Sequence, residues 1–235
     1  MDEKRTILFV TSNSGKLNEA KSALSPFGIN IESIDVDGEF PEIEEIQSSE
    51  LQHVAKDKLT KAIKIVKKSS SKLGVMVEDA GFFIDEFDGF PGVYSSYVHK
   101  TLGIKGIIKT LKGIKNRDAS FQCVIGIHLD GEEFFFKGEC KGQVSERALG
   151  SNGFGYDPIF IPNEGNGRTF GEMNNKEKQI RLKLLSKRLD NVSKTLYNYP
   201  NMSMFEQSKI IKKLNTEQNL YFINNYKKGQ TLCQK

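Results

Sequence analysis

Apolar and polar residues alternate along this chain with two different periods, and these periods predict both strands and helices. A run of apolar residues at 5–10 and another in GVMVED, at 74–79, indicate short buried strands. Residues 29–36 alternate as a half-exposed strand does, and residues 16–24 have the helical period, with Leu17, Ala20 and Leu24 facing inward.

A long helix is predicted to begin at Ser48 or Ser49, because apolar residues recur every three or four positions after them. Its inward face is predicted to carry Leu51, Val54, Ala55, Leu59, Ala62, Ile63 and Val66. Further helices are predicted at 102–111, at 176–196 and at 203–214.

The middle of the chain has the pattern of a long β-hairpin. Two apolar stretches, 119–129 and 132–144, flank an Asp130-Gly131 turn. A glycine-rich aromatic segment, SNGFGYDPIFIP, follows and ends in a short strand. Strand–helix–strand units around a hairpin predict an α/β protein whose mixed, twisted sheet has two lobes around a central cleft.

The composition is that of an ordinary soluble protein. The chain has 235 residues, of which 37% are hydrophobic and 27% charged, and no apolar run approaches the roughly 18 residues of a membrane span. The charged start MDEKR precedes a strand and not a signal-peptide core. The three cysteines are odd in number and widely spaced, which indicates reduced thiols and a cytoplasmic protein.

Charge divides the chain unevenly. Residues 174–235 hold 13 lysines and arginines against 4 acids, which leaves 21 against 26 for the rest. The basic, Asn-rich end could touch nucleic acid or be a solvated extension, whereas a mildly acidic body argues against a general nucleic-acid binder. We therefore predict a domain at 1–197 and a basic extension at 198–235, with no membrane or nucleic-acid partner.

A small polar turn follows the first strand and could hold a phosphate. It is not a Walker A loop, which would need glycine where Val10 stands and a hydroxyl residue in place of Leu17. The turn still precedes a helix, whose free N–H groups and positive dipole end suit an anion. Its short donors and its cation are Thr11, Ser12, Asn13, Ser14 and Lys16, with Gly15 between the last two. The alternative is a capped helix with Asn13 or Ser14 at the N-cap and a solvated lysine.

Two acidic segments could supply a metal site. Glu78 and Asp79 are predicted to end a buried strand just before Ala80-Gly81, where open α/β sheets present catalytic groups. One of the pair should face the cleft while the protein holds the other; Asp79 is the candidate for binding Mg²⁺ and polarising water. The alternative is two solvated acids.

PEIEE, at 41–45, could add a second carboxylate from Glu42 or Glu45, since Mg²⁺ favours one or two carboxylates with water and phosphate oxygens. Surface acidity is the expected fate of Glu44.

The FGYDP segment at 154–158 could contact a flat ligand. Glycines at 150, 153 and 155 allow close backbone approach, and Phe154 or Tyr156 could stack on a base. The alternative is that these aromatic side chains belong to the core.

Six segments together resemble the inosine/xanthosine triphosphate pyrophosphatase family, in its archaeal form. They occur in the family's order and spacing over about 175 residues, and six collinear motifs are specific. The segments are TSNSGK (11–16), PEIEE (41–45), VEDAG (77–81), FPGVYS (90–95), GFGYDPIF (153–160) and TFGEMNNKEK (169–178).

The resemblance implies hydrolysis of non-standard purine triphosphates (ITP, dITP, XTP) to the monophosphate and pyrophosphate, by a Mg²⁺-dependent homodimer. It implies that 11–16 binds the triphosphate, with Lys16 also catalytic, and that Asp79 and Glu42 bind the metal, with Asp79 activating water. Ala80 joins the substrate site beside Asp79. The base would be contacted by Phe154, Gly155, Tyr156 and Asp157, and Lys178 matches a substrate-binding lysine.

One family motif is broken. Where the family carries Ser-His-Arg, which bonds to the purine, this chain has Leu182, Lys183 and Leu184. Either Lys183, Arg181 or Lys187 supplies the donors or base selectivity is weakened. The alternatives are therefore a related nucleotide pyrophosphatase with relaxed or different base specificity, or a nucleotide-binding homologue without turnover. Ser96 also stands where many members carry a basic residue.

Overall fold

The computed structural model describes residues 5–25, 29–34, 41, 43–67, 74–129, 131–174 and 177. These residues all belong to one compact unit, Met1–Lys187. Glu42, Lys178 and Lys183 lie outside the described residues, as do the helices predicted at 176–196 and 203–214 and the predicted boundary at 197. Within the described ranges, no helix is both long and apolar enough to cross a membrane.

The described strands form one mixed sheet, which confirms the predicted fold class. Its order is β2-β1-β3-β5-β6-β7, with β4 also paired to β3. Strand β1 runs parallel to both β2 and β3, and the remaining pairs are antiparallel. The strands are β1 Arg5–Phe9, β2 Ile29–Ser33, β3 Gly74–Ile84, β4 Pro91–Gly92, β5 Asp118–Leu129, β6 Glu132–Val144 and β7 Phe160–Pro162.

Four described α-helices pack on or beside this sheet. They are α1 Ser14–Leu24, α2 Leu51–Lys67, α3 Ser95–Thr101 and α4 Gly103–Thr110. Helix α2 begins two or three residues later than predicted, and the whole predicted face is buried: Leu51, Val54, Ala55, Leu59, Ala62, Ile63 and Val66. In α1, Leu24 is buried whereas Leu17 and Ala20 are half-buried.

Helix α3 was not predicted, and the helix predicted at 102–111 begins one residue later. Gly103 has a φ of 67°, a left-handed conformation that separates α3 from α4. Only the α4 part of this pair has a clear apolar period, which includes the buried Ile107 and ends at the buried Leu111. The seven-residue α3 is too short to show one.

Strand β3 is nearly twice as long as predicted, and this corrects the expectation that Glu78 and Asp79 end a strand. Both lie in its middle, because β3 continues to Ile84 against β5 along its whole length. Gly81 is part of the strand: a Cβ there would lie 2.3 Å from the Gly92 carbonyl oxygen, so glycine permits the close approach of β4.

The edge of β3 that does not pair with β5 has two strand partners, with a gap between them. Strand β1 pairs only with Gly74–Met76, and β4 pairs only with Phe82 and Phe83. The last contact on the β1 side is the hydrogen bond from Val10 N to Met76 O, at 2.9 Å. Residues 77–81 therefore face an opening in the sheet.

Two core clusters lie on either side of this opening. One includes Val75 and Val77 of β3 with α2, and the other includes Phe82 and Ile84 with α4 and β7. The β5–β6 hairpin, which was predicted, extends past both clusters, and Gly131 in its turn has a φ of 84°. The predicted two-lobed arrangement with a cleft is thus formed around the middle of β3.

Candidate active site

A cavity of about 770 Å³ occupies the opening beside residues 77–81. On one side lie the end of β1, the start of α1 and part of α2, and on the other lie α3 and the aromatic loop at 154–156. Strand β3 lies between them. The cavity is large enough for a nucleotide-sized ligand.

Most of the described residues predicted for the site border this cavity. Those that do so are Thr11, Ser12, Asn13, Lys16, Asp79, Ala80, Phe154, Gly155 and Tyr156. Ser14, Gly15 and Asp157 were also predicted and do not line it. Ser14 and Gly15 are exposed in the first turn of α1, and Asp157 is buried.

The polar turn forms a capped helix start, and its lysine points into the cavity. Asn13 is the N-cap of α1: its side-chain oxygen accepts a hydrogen bond from Lys16 N at 3.2 Å. Thr11 Oγ1 accepts from Asn13 N at 3.2 Å, which fixes the turn. The Lys16 ammonium lies 3.3 Å from Glu78, and its side chain is only 18% exposed. The alternative of a solvated lysine is therefore wrong, although the predicted N-cap is correct.

Both acids of β3 border the cavity. The sequence predicted that one would face it and the other would be held elsewhere, but Glu78 pairs with Lys16 and still lines the same space as Asp79. Since the β1-side edge of β3 is open here, side chains from both faces of the strand reach the cavity.

Asp79 has the electrostatic character of a functional carboxylate. Its Oδ2 atom is buried without a hydrogen-bond partner among the described residues. Burial raises the pKa of the Asp79 carboxyl from 3.8 to about 6; Glu45 and Glu78 add to the rise, whereas Lys58 and Lys16 oppose it. A buried carboxylate with an unused oxygen suits a cation or a proton to be accepted.

Lys58 is a cavity residue that sequence reasoning missed. It lies on the polar side of α2 and forms an ion pair with Glu45 at 2.7 Å. Its spacing on the helix resembles that of any solvated lysine, so only the tertiary structure distinguishes it. Lys61, one turn further along α2, donates to the Glu44 carbonyl at 2.6 Å and so helps to fix the 43–45 segment beside the cavity.

The aromatic loop presents one ring to the cavity and buries another. Phe154 is 47% exposed, whereas Tyr156 is 3% exposed and stacks on Phe82 at a centroid distance of 4.8 Å. The buried Asp157 carboxylate accepts a hydrogen bond from Phe154 N at 3.1 Å. Asp157 therefore stabilises the loop conformation from its buried side. Phe154 is the ring placed to stack on a ligand.

The side of the cavity formed by α3 was not predicted as a part of the site. It contributes Ser95, Ser96, His99 and Lys100. His99 meets the ring of Tyr156 edge-on at 5.3 Å, so it packs against the aromatic loop as well as lining the cavity. Ser95 belongs to the FPGVYS motif and Ser96 follows it directly, whereas His99 and Lys100 have no signal in the sequence because α3 itself carries no clear period.

The described part of the chain offers carboxylates for a divalent cation but no complete set of ligands. No group of three or more His, Cys, Asp or Glu side chains among the described residues could hold a metal ion. Mg²⁺ does not require one, since it retains water and takes phosphate oxygens from its substrate. The unpartnered, buried Oδ2 of Asp79 fits such an ion.

Comparisons with known proteins show which sequences and structures this chain resembles. The sequence profile described as the Ham1 family matches residues 7–194. The chain is 43% identical over 172 residues to the dITP/XTP pyrophosphatase of Pyrococcus horikoshii, an alignment that covers 73% of this chain and 87% of that protein. It is also 43% identical over 175 residues to the dITP/XTP pyrophosphatase of Methanopyrus kandleri, covering 73% of this chain and 86% of the relative.

Solved structures share the fold. The Ham1 protein of Staphylococcus aureus superposes with a TM-score of 0.65 at 26% identity, over 80% of this chain and 99% of that one. A HAM1 protein from Coxiella burnetii gives a TM-score of 0.65 at 28% identity, with coverages of 80% and 99%.

Proposed function

The chain belongs to the Ham1 family, and on that premise we propose that it hydrolyses non-standard purine nucleoside triphosphates to the monophosphate and pyrophosphate. ITP, dITP and XTP are the expected substrates. Its relatives named as dITP/XTP pyrophosphatases align over most of their length and most of this chain.

The observation that carries the proposal is that three kinds of group line one cavity. Lys16 and the start of α1 lie on one side, Asp79 with its buried Oδ2 atom lies on β3 between the two sides, and the exposed Phe154 ring lies on the other side. A triphosphate, its reacting phosphorus and a purine base require these three chemistries. A cation and N–H groups bind phosphate, a carboxylate accepts a proton, and an aromatic ring stacks on a base.

In the proposed reaction, a water oxygen forms a bond to the α-phosphorus as the bond to the bridging oxygen breaks. The electron pair leaves with pyrophosphate, and the water proton passes to the Asp79 carboxylate. Lys16 and the first N–H groups of α1 stabilise the charge that develops on the leaving group. Glu78 holds the Lys16 ammonium at 3.3 Å, which positions that charge in the cavity.

Mg²⁺ is the proposed cofactor, held by Asp79 and a glutamate from the segment at 41–45. When bound, it supplies charge neutralisation and a lower pKa for water. Glu45 borders the cavity, but its carboxylate pairs with Lys58 at 2.7 Å. That engagement favours Glu42, the residue that the family resemblance indicates, as the second ligand.

We also propose a homodimer in the cytoplasm, from the resemblance to the pyrophosphatase family. Light scattering of the purified full chain should give a mass near twice 26.5 kDa. A mass near that of one chain would overturn the dimer without affecting the proposed reaction.

Release of pyrophosphate tests the function. ITP, XTP, dUTP, ATP and GTP are assayed side by side with Mg²⁺, and ITP and XTP should give the highest kcat/KM. Preference for dUTP or for the standard triphosphates would favour the related pyrophosphatase instead. Binding of ITP without release of pyrophosphate would identify a homologue that has lost turnover.

A further inference from the structure

The charged side chains that border the cavity are equal in number for the two signs, but they are not all paired with one another. Of the residues that the structure describes, three lysines and three carboxylates line it: Lys16, Lys58, Lys100, Glu45, Glu78 and Asp79. Lys16 lies 3.3 Å from Glu78, and Lys58 lies 2.7 Å from Glu45. Each of these two lysines thus shares its charge with a neighbouring acid on its own side of the cleft or on β3.

Lys100 differs from both of these lysines. It lies on α3, on the opposite side of the cleft, and forms no ion pair with any of the described residues. Helices α3 and α4, SSYVHKT and GIKGIIKT, contain three lysines and a histidine but no acid. No carboxylate on its own or the following helix can therefore neutralise Lys100.

We infer that Lys100 is a substrate-binding residue that contacts the triphosphate from the α3 side of the cleft. The inference rests on the proposed function, and it assigns to the same cavity a second phosphate contact opposite Lys16. Among the described lining residues the formal charges cancel. Lys100 has no ion-pair partner among them, so its positive charge stays available to a substrate with several negative charges. A contact from each side would also hold the two sides of the cleft around the substrate.

A purely structural role for Lys100 makes a different prediction. Lys100 lies in the last turn of α3, where a cation interacts favourably with the helix dipole. Replacement would then lower stability slightly and leave substrate affinity unchanged. The two roles separate when stability and KM are measured on the same variants.

Three variants form the test. Lys100→Ala removes the charge, Lys100→Arg retains it, and Lys105→Ala removes an exposed lysine of α4 that does not line the cavity. The KM for ITP should rise about tenfold in Lys100→Ala, which is the usual cost of losing one hydrogen bond to a charged group. It should change less than threefold in Lys100→Arg and in Lys105→Ala.

Salt dependence gives a second readout. Because the contact is between charges, the KM of the parent should rise more steeply with NaCl than that of Lys100→Ala. Equal KM values for Lys100→Ala and Lys105→Ala, with equal salt slopes, would overturn the assignment.

Binding of tripolyphosphate, measured by calorimetry, keeps the assignment separate from the proposed reaction. If the parent does not hydrolyse ITP, the proposed function fails, and weaker tripolyphosphate binding by Lys100→Ala than by Lys105→Ala still supports the phosphate contact. If the parent hydrolyses ITP and the two variants bind tripolyphosphate equally, the assignment fails alone.

Discussion

The hydroxyl of Tyr156 donates a hydrogen bond to the main-chain carbonyl of Ser95, at 2.9 Å, and so joins the aromatic loop to the start of α3. The same Ser95 accepts a hydrogen bond at its Oγ from Phe82 N, at 2.7 Å, and donates one to Gly92 O. The Tyr156 ring stacks on Phe82, three residues beyond Asp79. The loop that presents Phe154 is thereby fixed relative to the strand that presents Asp79.

Tyr156→Phe should therefore weaken substrate binding more than turnover. The ring and its stack on Phe82 remain, while one buried hydrogen bond is lost, at a cost of about 0.5–1.5 kcal/mol in the free energy of unfolding. With its loop less firmly held, Phe154 should bind the base less well, and we expect KM for ITP to rise severalfold with kcat changed less than twofold.

Ser145→Ala is the matched control for Tyr156→Phe, because Ser145 Oγ also donates to a carbonyl, that of Arg147 at 2.6 Å, away from the cavity. Both variants should lose similar stability in urea titrations. If KM is the same in both, Tyr156 contributes only to the core.

Asp79→Asn should abolish hydrolysis while preserving the fold. The amide has the same shape, but it is a poor metal ligand and cannot accept the water proton. Removal of a general base costs at least about 10²-fold in rate. Pyrophosphate release is the measurement, and Asp85→Asn, an exposed acid just after β3, is the control. Turnover within tenfold of the parent would place the chemistry elsewhere.

The same substitution should stabilise the metal-free protein at neutral pH. Folding raises the pKa of Asp79 from 3.8 to about 6, so between these values the folded state holds a proton that the unfolded state has lost. The unfolding free energy therefore falls as pH rises through this window, and the full cost of the buried charge is present above about pH 6. Two pKa units correspond to about 3 kcal/mol.

Urea titrations with EDTA check this prediction at two pH values. Asp79→Asn should gain about 2–3 kcal/mol over the parent at pH 7.5 and nothing at pH 3.5. Added MgCl₂ should then stabilise the parent and leave the variant unchanged. An equal gain at both pH values would mean that packing, and not the buried charge, accounts for the difference.

The parts of the fold that were predictable have a periodic signal of their own. The inward face of α2 was correct at all seven positions, and the β5–β6 hairpin follows from its two apolar stretches and its turn. The extension of β3 was missed because Ala80-Gly81 has the appearance of a turn, whereas its strand conformation depends on pairing with β5 and on the close approach of β4.

The candidate site likewise contains residues that the sequence identifies and residues that only the tertiary structure identifies. Residues within compact motifs, such as Lys16, Asp79 and Phe154, were identified and brought to one cavity. Lys58 and Lys100 lie on helices whose surface lysines look alike in the sequence, and only the cleft distinguishes them. The buried position of Tyr156 and Asp157 behind the loop also depends on tertiary packing, which the motif alone does not specify.

Lys16→Ala should reduce both substrate affinity and rate, because its charge meets phosphate in the ground state and in the transition state. A hydrogen bond between charged groups contributes about 1.5–3 kcal/mol, so we expect kcat/KM for ITP to fall roughly 10- to 150-fold. Lys21→Ala, an exposed lysine on the same helix, is the control. A change confined to base preference would contradict the phosphate role.

Discrimination between 6-oxo and 6-amino purines depends on the donors that face position 6 of the base. Lys183 and its neighbours stand where the pyrophosphatase family carries Ser-His-Arg, and they lie outside the described residues. A lysine can donate to O6 but lacks the planar fork of arginine, so it replaces the lost donors only in part. We predict activity on ITP and XTP with a narrower margin over ATP and GTP than a complete set of donors would give.

The measurement is the ratio of kcat/KM for ITP to that for ATP, in the parent and in Lys183→Ala. Each hydrogen bond to the base that is lost removes about 1–3 kcal/mol of discrimination, or roughly five- to 150-fold. A fall of this size in Lys183→Ala would identify Lys183 as the residue that donates to O6. An unchanged ratio would exclude Lys183 as this donor, and Arg181 and Lys187 would be the next residues to replace. A ratio near one in the parent would overturn 6-oxo selectivity itself, because a site with donors facing O6 leaves them unpaired when it meets an amino group.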